Sequence, residues 1–225
     1  LMKEIQETLH LDRLPMTIEC FDNSNIQGSD AVAACVVFRK LKPSKKDYRK
    51  YNIKSVEGPD DYASMREIAG RRYRRIVEEG GELPSLILAD GGKGQMDAIR
   101  SVVKDELGLD IPVLGLVKNN RHKTSEVIIE NGDTIGLKQG TTLFHLLSQI
   151  QDEVHRFAIT LHRDKRSKRQ TTSELDNING IGEKSKHSLL NHFKSVKRIK
   201  EATLEEVASV VGKSKAEIIF NWMKS

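Results

Sequence analysis

Asp22 follows the apolar, β-rich run Met16-Thr-Ile-Glu-Cys-Phe21, and Asp90 closes the continuous apolar run Leu86-Ile-Leu-Ala; turn residues, Asn23-Ser24 and Gly91-Gly92, come directly after each. Carboxylates carried to the C-terminal ends of strands collect at the edge where open α/β sheets gather ligands and catalysts. A pair of them suits a hard divalent cation, Mg2+ or Mn2+, which takes oxygen ligands. Each aspartate also has a purely structural reading, as a turn-initiating or helix-capping residue ahead of Asn-Ser or Gly-Gly. The third candidate is His155. Between Thr141 and about Arg163, the residues Leu143, Leu146, Leu147, Ile150, Val154, Phe157 and Leu161 form one apolar stripe at helical spacing. At about 100° per residue, His155 falls well away from that stripe, on a face shared with Asp152, His162 and Arg163, so it is not a core histidine of this helix. It could complete the coordination of a metal, which favours Mn2+, or act as general base on an attacking water near neutral pH. The alternative is a solvated face laced by an Asp152 to Arg156 pair.

The elements that would position these groups are readable from period and punctuation. Lys3 to His10 reads as a short helix, and the strand ending at Asp22 is followed by a turn through Asn23 to Asp30. Strands over Ala31–Arg39 and Tyr48–Ser55 complete an antiparallel meander. Asp60-Asp61 then opens a helix to Gly80-Gly81; these acids are caps favoured by the helix dipole, or one of them is a further acidic partner in a metal site. Arg71-Arg-Tyr-Arg-Arg75 lies on that helix as a solvated face or a phosphate contact. The strand Leu86–Asp90, a helix from about Lys93 to Leu107 and a buried strand over Pro112–Val117 give βαβ order. Gly91-Gly-Lys-Gly-Gln95 fails the Walker pattern, because no Ser or Thr follows Lys93, and reads as a tight strand-to-helix turn. Val127 to Ile135 adds an antiparallel pair before the long helix. The fold class is α/β: a mixed sheet with flanking helices, for which the ribonuclease-H-like arrangement is one solution.

The tail differs. A charged, Ser/Thr-rich stretch breaks the pattern, so the expected domains are 1–163, with 1–15 as N-terminal helix and linker, a linker over 164–173, and a small all-α domain over 174–225. In Ile178-Asn-Gly-Ile-Gly-Glu-Lys184, Gly180, Ile181 and Gly182 form a turn before a helix Lys184–Phe193, where backbone N–H groups can hold a phosphate oxygen without reading a base. The spacing recurs more loosely at Val210-Val-Gly-Lys-Ser-Lys215, after a connecting helix Glu201–Ser209. The two turns form a tandem helix-hairpin-helix in which Gly180, Ile181, Gly182, Lys184, Gly212, Lys213 and Lys215, with Arg163 and Arg166 at the boundary, are the candidate DNA-backbone contacts. An ordinary helix C-cap is the bland reading of a single Gly-Ile-Gly. Charge agrees with the pair: the chain carries 22 basic and 22 acidic residues through Ile150 but 15 against 10 beyond it, so the net +5 sits in the last third. The longest apolar run, Ala31–Phe38, is too short to span a bilayer and no signal segment precedes it, so a soluble, cytoplasmic protein without membrane contact is expected. Cys20 and Cys35 sit in apolar runs without CxxC spacing and read as buried thiols.

Several long motifs occur together and in order: Cys20-Phe-Asp-Asn-Ser24, Tyr48-Arg-Lys-Tyr-Asn-Ile53, Asp60-Asp-Tyr62, Arg71-Arg-Tyr73, Asp90-Gly-Gly-Lys-Gly-Gln95, Asp152-Glu-Val-His-Arg-Phe-Ala158 and His162-Arg163. With the hairpin tail they make the chain, from about Met16 onward, resemble the C-terminal half of the UvrC family, the incision subunit of bacterial nucleotide excision repair. The resemblance implies a ribonuclease-H-like, metal-dependent endonuclease that cuts DNA 5′ to a lesion, followed by two helix-hairpin-helix motifs. It maps Asp22, Asp90 and His155 onto the catalytic triad and Asp61 onto a further acidic position needed for activity. It also implies double-stranded DNA carrying a lesion or bubble as substrate, UvrB as partner, and an additional N-terminal GIY-YIG nuclease domain in the full-length protein. Two departures stand out: Asn25 replaces a histidine usual in the family, and Lys213-Ser214 stands where an apolar residue often follows the glycine of the second hairpin. The rival readings are a non-catalytic DNA-binding module that positions another nuclease, and a Holliday-junction resolvase of the same fold class, with a site made mainly of carboxylates and a symmetric dimer.

Overall fold

The computed structural model describes residues 1–24, 31–54, 60–118 and 124–224, the side chains of 24 and 162–173 excepted. The chain divides into two compact units, Leu1–His162 and Arg163–Ser225, each with its own apolar core.

In the first unit the described strands are β1 (Thr17–Ser24), β2 (Val32–Arg39), β3 (Lys42–Pro43), β4 (Arg49–Asn52), β5 (Leu86–Asp90), β6 (Val113–Lys118), β7 (Thr124–Ile128) and β8 (Thr134–Gly136). They form one sheet in the order β3-β2-β1-β5-β6-β7-β8, with β4 also on β2. The central strands β1, β5 and β6 run parallel. They read as unbroken apolar runs because both of their faces are covered, and Leu86–Ala89 and Val113–Leu114 are fully buried. The flanking strands pair antiparallel. β2 divides its free edge between two short strands, β3 at Phe38–Arg39 and β4 at Val32–Cys35.

Helices α1 (Met2–Thr8), α2 (Asp61–Glu78), α3 (Gly92–Arg100) and α4 (Thr142–Asp176) complete this part of the chain. Alternation along β1 assigns α2 and α4 to opposite faces of the sheet. Glu19, Phe21 and Asn23 meet α2: Tyr73 Oη donates to Glu19 Oε2 at 2.6 Å, the Phe21 and Tyr73 rings meet edge-on at 6.0 Å, and Asn23 Nδ2 donates to Asp61 Oδ1 at 3.0 Å. Asp22 points the other way, to His155 of α4.

Four local expectations are corrected. Asp22 does not end its strand; Asn23 and Ser24 continue it because they pair with Ala33 and Val32. The basic run on α2 is not wholly a solvated face, since Arg72 turns inward and forks onto Glu19 with two 2.7 Å bonds. The pair on α4 is Arg156 with Glu153, not with Asp152; two 2.8 Å bonds hold it, and Glu153 also accepts from Tyr48 Oη at 2.9 Å. The long helix expected to end at about Arg163 continues as α4 to Asp176, through the stretch read as a linker. That stretch, Arg-Asp-Lys-Arg-Ser-Lys-Arg-Gln-Thr-Thr-Ser from 163 to 173, is charged but holds neither Gly nor Pro, and Arg, Lys and Gln are good helix formers.

Candidate active site and helical-hairpin tail

Phe21 and Ala89 are register partners on the parallel strands β1 and β5. The next residue on each is an aspartate, so Asp22 and Asp90 lie side by side on one face, a strand spacing of about 4.8 Å apart along the backbone. Both are buried. Gly91 and Gly92, at φ 151° and 71°, then turn the chain away into α3, a path that glycine takes without strain. A Cβ on Gly91 would stand 2.6 Å from the Gln95 side chain.

Strand β6 lies on the far side of β5, with Leu116 beside Asp90. Lys118, two residues on and so on the same face, brings its ammonium to 2.9 Å from Asp90 Oδ2. Gln151 of α4 donates to Asp90 Oδ1 at 2.6 Å, and its own Oε1 accepts from Thr124 Oγ1. One helical turn further, His155 places Nδ1 3.4 Å from Asp22 Oδ2. The imidazole itself is largely in solvent, with 60% of its side chain exposed against 11% for Asp22. Asp22, Asp90, Lys118 and His155 line a cleft of about 340 Å³ at the C-terminal edge of the parallel strands.

Electrostatics separate the two carboxylates. Burial pushes the Asp22 carboxyl up to about 6, and the neighbouring Asp90 charge adds to the rise; Lys118 and His155 pull it back. Asp90 has both oxygens engaged, by an ammonium and an amide. Cys20, buried beneath the site, has its thiol held well above the ordinary range by burial first and by Asp90 and Asp22 next. It is a packed apolar residue, as is Cys35.

The structure thus brings together Asp22, Asp90 and His155. Among the described residues no group of three or more His, Cys, Asp or Glu side chains forms a ready-made metal cluster; the assembled unit is a carboxylate pair with the histidine against one member. Asp61 is set apart, across the sheet, with one oxygen accepting from Asn23, while Asp60 is the cap of α2 and accepts from Ala63 N–H at 2.9 Å. Asn25 lies outside the described residues, as do the side chains of Arg163 and Arg166. Sequence reading missed Lys118, Gln151 and Asn23. A signal existed for two of them: Lys118 ends an apolar strand as the aspartates do, and Gln151 precedes His155 by one helical turn. Asn23 carries a buried Oδ1 that no group among the described residues satisfies.

Two carboxylates and one ammonium in a buried cleft leave net negative charge, and Asp22 registers its cost. The donor set fits a divalent metal: Asp22 and Asp90 offer hard oxygens side by side at the wall of one cleft.

In the second unit α5 (Glu183–Phe193), α6 (Val196–Glu201), α7 (Leu204–Val211) and α8 (Lys213–Lys224) pack around Leu189, Ile199, Val207 and Ile219. Ile178 and Ile181 are buried and anchor the first turn. Gly180 has φ +90° and a Cβ there would press on Ile218 at 3.3 Å, whereas Gly182 is extended and begins α5 without a side-chain cap. Gly212, at φ +87°, leads directly into α8. Lys215 Nζ donates to Ser185 Oγ at 2.9 Å, which draws the N-terminal turns of α5 and α8 together. Lys184 and Lys213 are exposed. The connecting helix expected over Glu201–Ser209 is α7, which begins three residues later at Leu204; a separate short helix, α6, ends at Glu201. Thr203 caps α7 in a reciprocal box with Glu206, a Thr-x-x-Glu signal that the sequence contains.

A mixed sheet bearing two carboxylates at neighbouring parallel strand ends, with a helix laid across them, defines a ribonuclease-H-like nuclease fold; the tail is a tandem helix-hairpin-helix. Residues 6–159 match the model of the UvrC RNAse H endonuclease domain, and residues 172–219 match the SAM-like helix-hairpin-helix tandem. The chain belongs to the UvrC RNase H endonuclease domain family. It is 67% identical over 220 residues to the UvrABC system protein C of Bacteroides thetaiotaomicron, covering 97% of this chain. It is 52% identical over 225 residues to that of Porphyromonas gingivalis, covering 98% of this chain. The chain spans 36% of the length of each of these relatives. Among solved structures it is similar to human ENDOV, at 9% identity and a TM-score of 0.42, with 73% of this chain and 98% of that one covered. Among the described residues no helix is long and apolar enough to cross a membrane.

Proposed function

We propose that this chain is the part of a nucleotide excision repair endonuclease that makes the incision 5′ to a lesion, with Asp22 and Asp90 holding a Mg2+ or Mn2+ ion. The observation that carries the reading is the register that sets these buried carboxylates side by side, with the charge of Asp22 destabilised by burial first and by its neighbour next. Phosphodiesters resist attack because their oxygens repel a nucleophile, so a cutting site must neutralise charge and deliver hydroxide. A bound divalent ion supplies Lewis acidity and lowers the pKa of water. The protein's own groups supply the rest. Lys118 and Gln151 fix the Asp90 carboxylate, and Lys118 adds a positive charge at the edge of the cleft. His155 is turned by its Nδ1 contact with Asp22, so Nε2 is the ring nitrogen that accepts a proton from the attacking water. Asp61 acts through Asn23 on the strand that carries Asp22. The tail holds DNA backbone through the turns at Gly180–Gly182 and Gly212–Lys213. UvrB bound to the damaged DNA is the partner, and the remaining length of the relatives fits a further N-terminal nuclease domain.

The test is incision of lesion-bearing DNA by the full-length protein together with UvrB. Asp22→Asn and Asp90→Asn each lower the 5′ incision rate by about 10²-fold or more, while binding to the same DNA in EDTA persists. Undiminished incision by either variant refutes the assignment and favours a DNA-binding module that positions another nuclease.

A further inference from the structure

Behind Asp90 lies a second layer of side chains, and it starts at an irregularity of the sheet. β6 and β7 pair in regular antiparallel register from Gly115 with Ile128 to Val117 with Glu126; the register then shifts, so that Lys118 faces Thr124 rather than Ser125. Ser125 is the extra residue of a β-bulge, and its Oγ donates to Val117 O at 3.3 Å. Side chains alternate along a strand, so in unbroken register Thr124 would face away from the surface that Val127 shares with Leu116 and Asp90. The bulge turns it back, and Thr124 and Lys118 both point to the side of the sheet that carries Asp90. Bulges beside sites re-aim side chains in this way.

Thr124 meets the Gln151 side chain there. Thr124 Oγ1, the Gln151 amide and the Asp90 carboxylate stand in a row, and all three residues are buried. Their chemistry gives the row a direction. An ionised carboxylate only accepts, so the amide presents Nε2 to Asp90; Oε1 is then turned to β7, where a buried carbonyl oxygen needs a donor. Thr124 is that donor among the described residues. Without its hydroxyl, Oε1 is stranded and the amide is held at the Asp90 end alone. Lys118 constrains the other oxygen, Oδ2, at 2.9 Å, but an ammonium on a flexible stem is a point charge and sets no plane. The planar amide, clamped at both ends, does. We propose that Thr124, turned inward by the bulge at Ser125, is a positioning residue of the endonuclease site: acting through Gln151, it holds the Asp90 carboxylate in the orientation that binds a divalent ion. Outer partners of this kind set ion affinity without touching the ion. The ion itself rests on the function proposed above; the relay from β7 to Asp90 does not.

The experiment measures the affinity of the 225-residue chain for Mn2+, without DNA, from the electron paramagnetic resonance signal of the free ion. The variants are Thr124→Val, which keeps the shape and removes the hydroxyl; Thr124→Ser, which keeps the hydroxyl; Gln151→Met; and Thr124→Val combined with Gln151→Met. Thr124→Ala replaces Thr124→Val if the latter does not fold. Binding is read where urea unfolding shows each variant to be folded, so lost stability alone does not imitate the pattern. Thr124→Val and Gln151→Met each weaken binding by about 10-fold or more, and Thr124→Ser restores it. The double variant falls within about twofold of Gln151→Met, because the amide through which Thr124 acts is already gone. Unchanged affinity in Thr124→Val, a loss that serine does not restore, or a fully additive loss in the double variant overturns the proposal. If the unsubstituted chain binds no Mn2+, or Asp90→Asn binds it equally well, the metal reading of the site fails instead. The relay is then read from 5′ incision by the full-length protein with UvrB. A kcat lowered in Thr124→Val and restored in Thr124→Ser, at unchanged KM for DNA, upholds it; equal kcat in all three proteins overturns it.

Discussion

Replacing Asp22 by Asn should stabilise the metal-free protein, and the gain should grow with pH. Burial beside Asp90 raises the Asp22 carboxyl from 3.8 to about 6 in the folded chain. A raised carboxyl pKa means that the native state holds this proton more tightly than the unfolded state does. Stability from Asp22 is therefore fully present below about pH 3.8, falls as pH rises toward 6, and stays low above it. At about 1.4 kcal/mol per unit, the cost of ionising Asp22 in place is about 1.5 kcal/mol at pH 5 and about 3 kcal/mol at pH 7.5. Asn cannot ionise, so the variant escapes this cost while keeping the size of the side chain. Urea unfolding of the two proteins in EDTA, at both pH values, reads the difference; titrating groups that do not interact with Asp22 cancel in the comparison. The two units can be followed separately, because Tyr48, Tyr51, Tyr62 and Tyr73 all lie in the first and Trp222 lies in the second. The expected result is a variant whose tyrosine-reported transition is more stable by an amount that roughly doubles between pH 5 and pH 7.5, with the tryptophan-reported transition unmoved. Adding Mn2+ at about a hundred times its dissociation constant should return about 2.7 kcal/mol to the native protein and little to the Asp22→Asn variant. A variant less stable than the native protein at pH 7.5, or a pH-independent difference, refutes the argument from buried paired carboxylates.

Two further outcomes follow from side-chain contacts. Glu19→Gln removes the charge that Arg72 forks onto and that Tyr73 bonds; leaving that guanidinium uncompensated should cost about 3–5 kcal/mol of urea stability, and a loss below about 1 kcal/mol counts against a structural role for the pair. If Asp61 acts through Asn23, then Asn23→Ala, Asp61→Ala and the double variant should show a coupling of about 0.5–3 kcal/mol in incision rate, whereas additive losses would mean that Asp61 reaches the reaction by another route.

Much of the site was legible in the sequence because it depends on local rules. Apolar runs that stop at an aspartate before glycines or Asn-Ser mark strand ends. Helical spacing put His155 off the apolar stripe, and the structure leaves that imidazole exposed yet against Asp22. The Gly-Ile-Gly turn is likewise local, and Ile181 is buried between two glycines as such a turn requires. Charge composition placed the basic excess in the tail but was silent about which cations of the endonuclease unit are spent in ion pairs, which only three-dimensional pairing shows.

What the sequence alone determined is the kind of residue at each strand end and the face on which it sits, since backbone dihedrals fix a period of 2 in strands and 3.6 in helices. Tertiary structure decided which ends meet. Asp22 and Asp90 became a pair because β5 inserts beside β1, and Lys118 reached Asp90 because β6 follows on the same side. Arg72 left the solvated face because Glu19 lay beneath α2. These are contacts between residues tens of positions apart, set by strand order and by the need of each buried charge for a partner, and no local period encodes them.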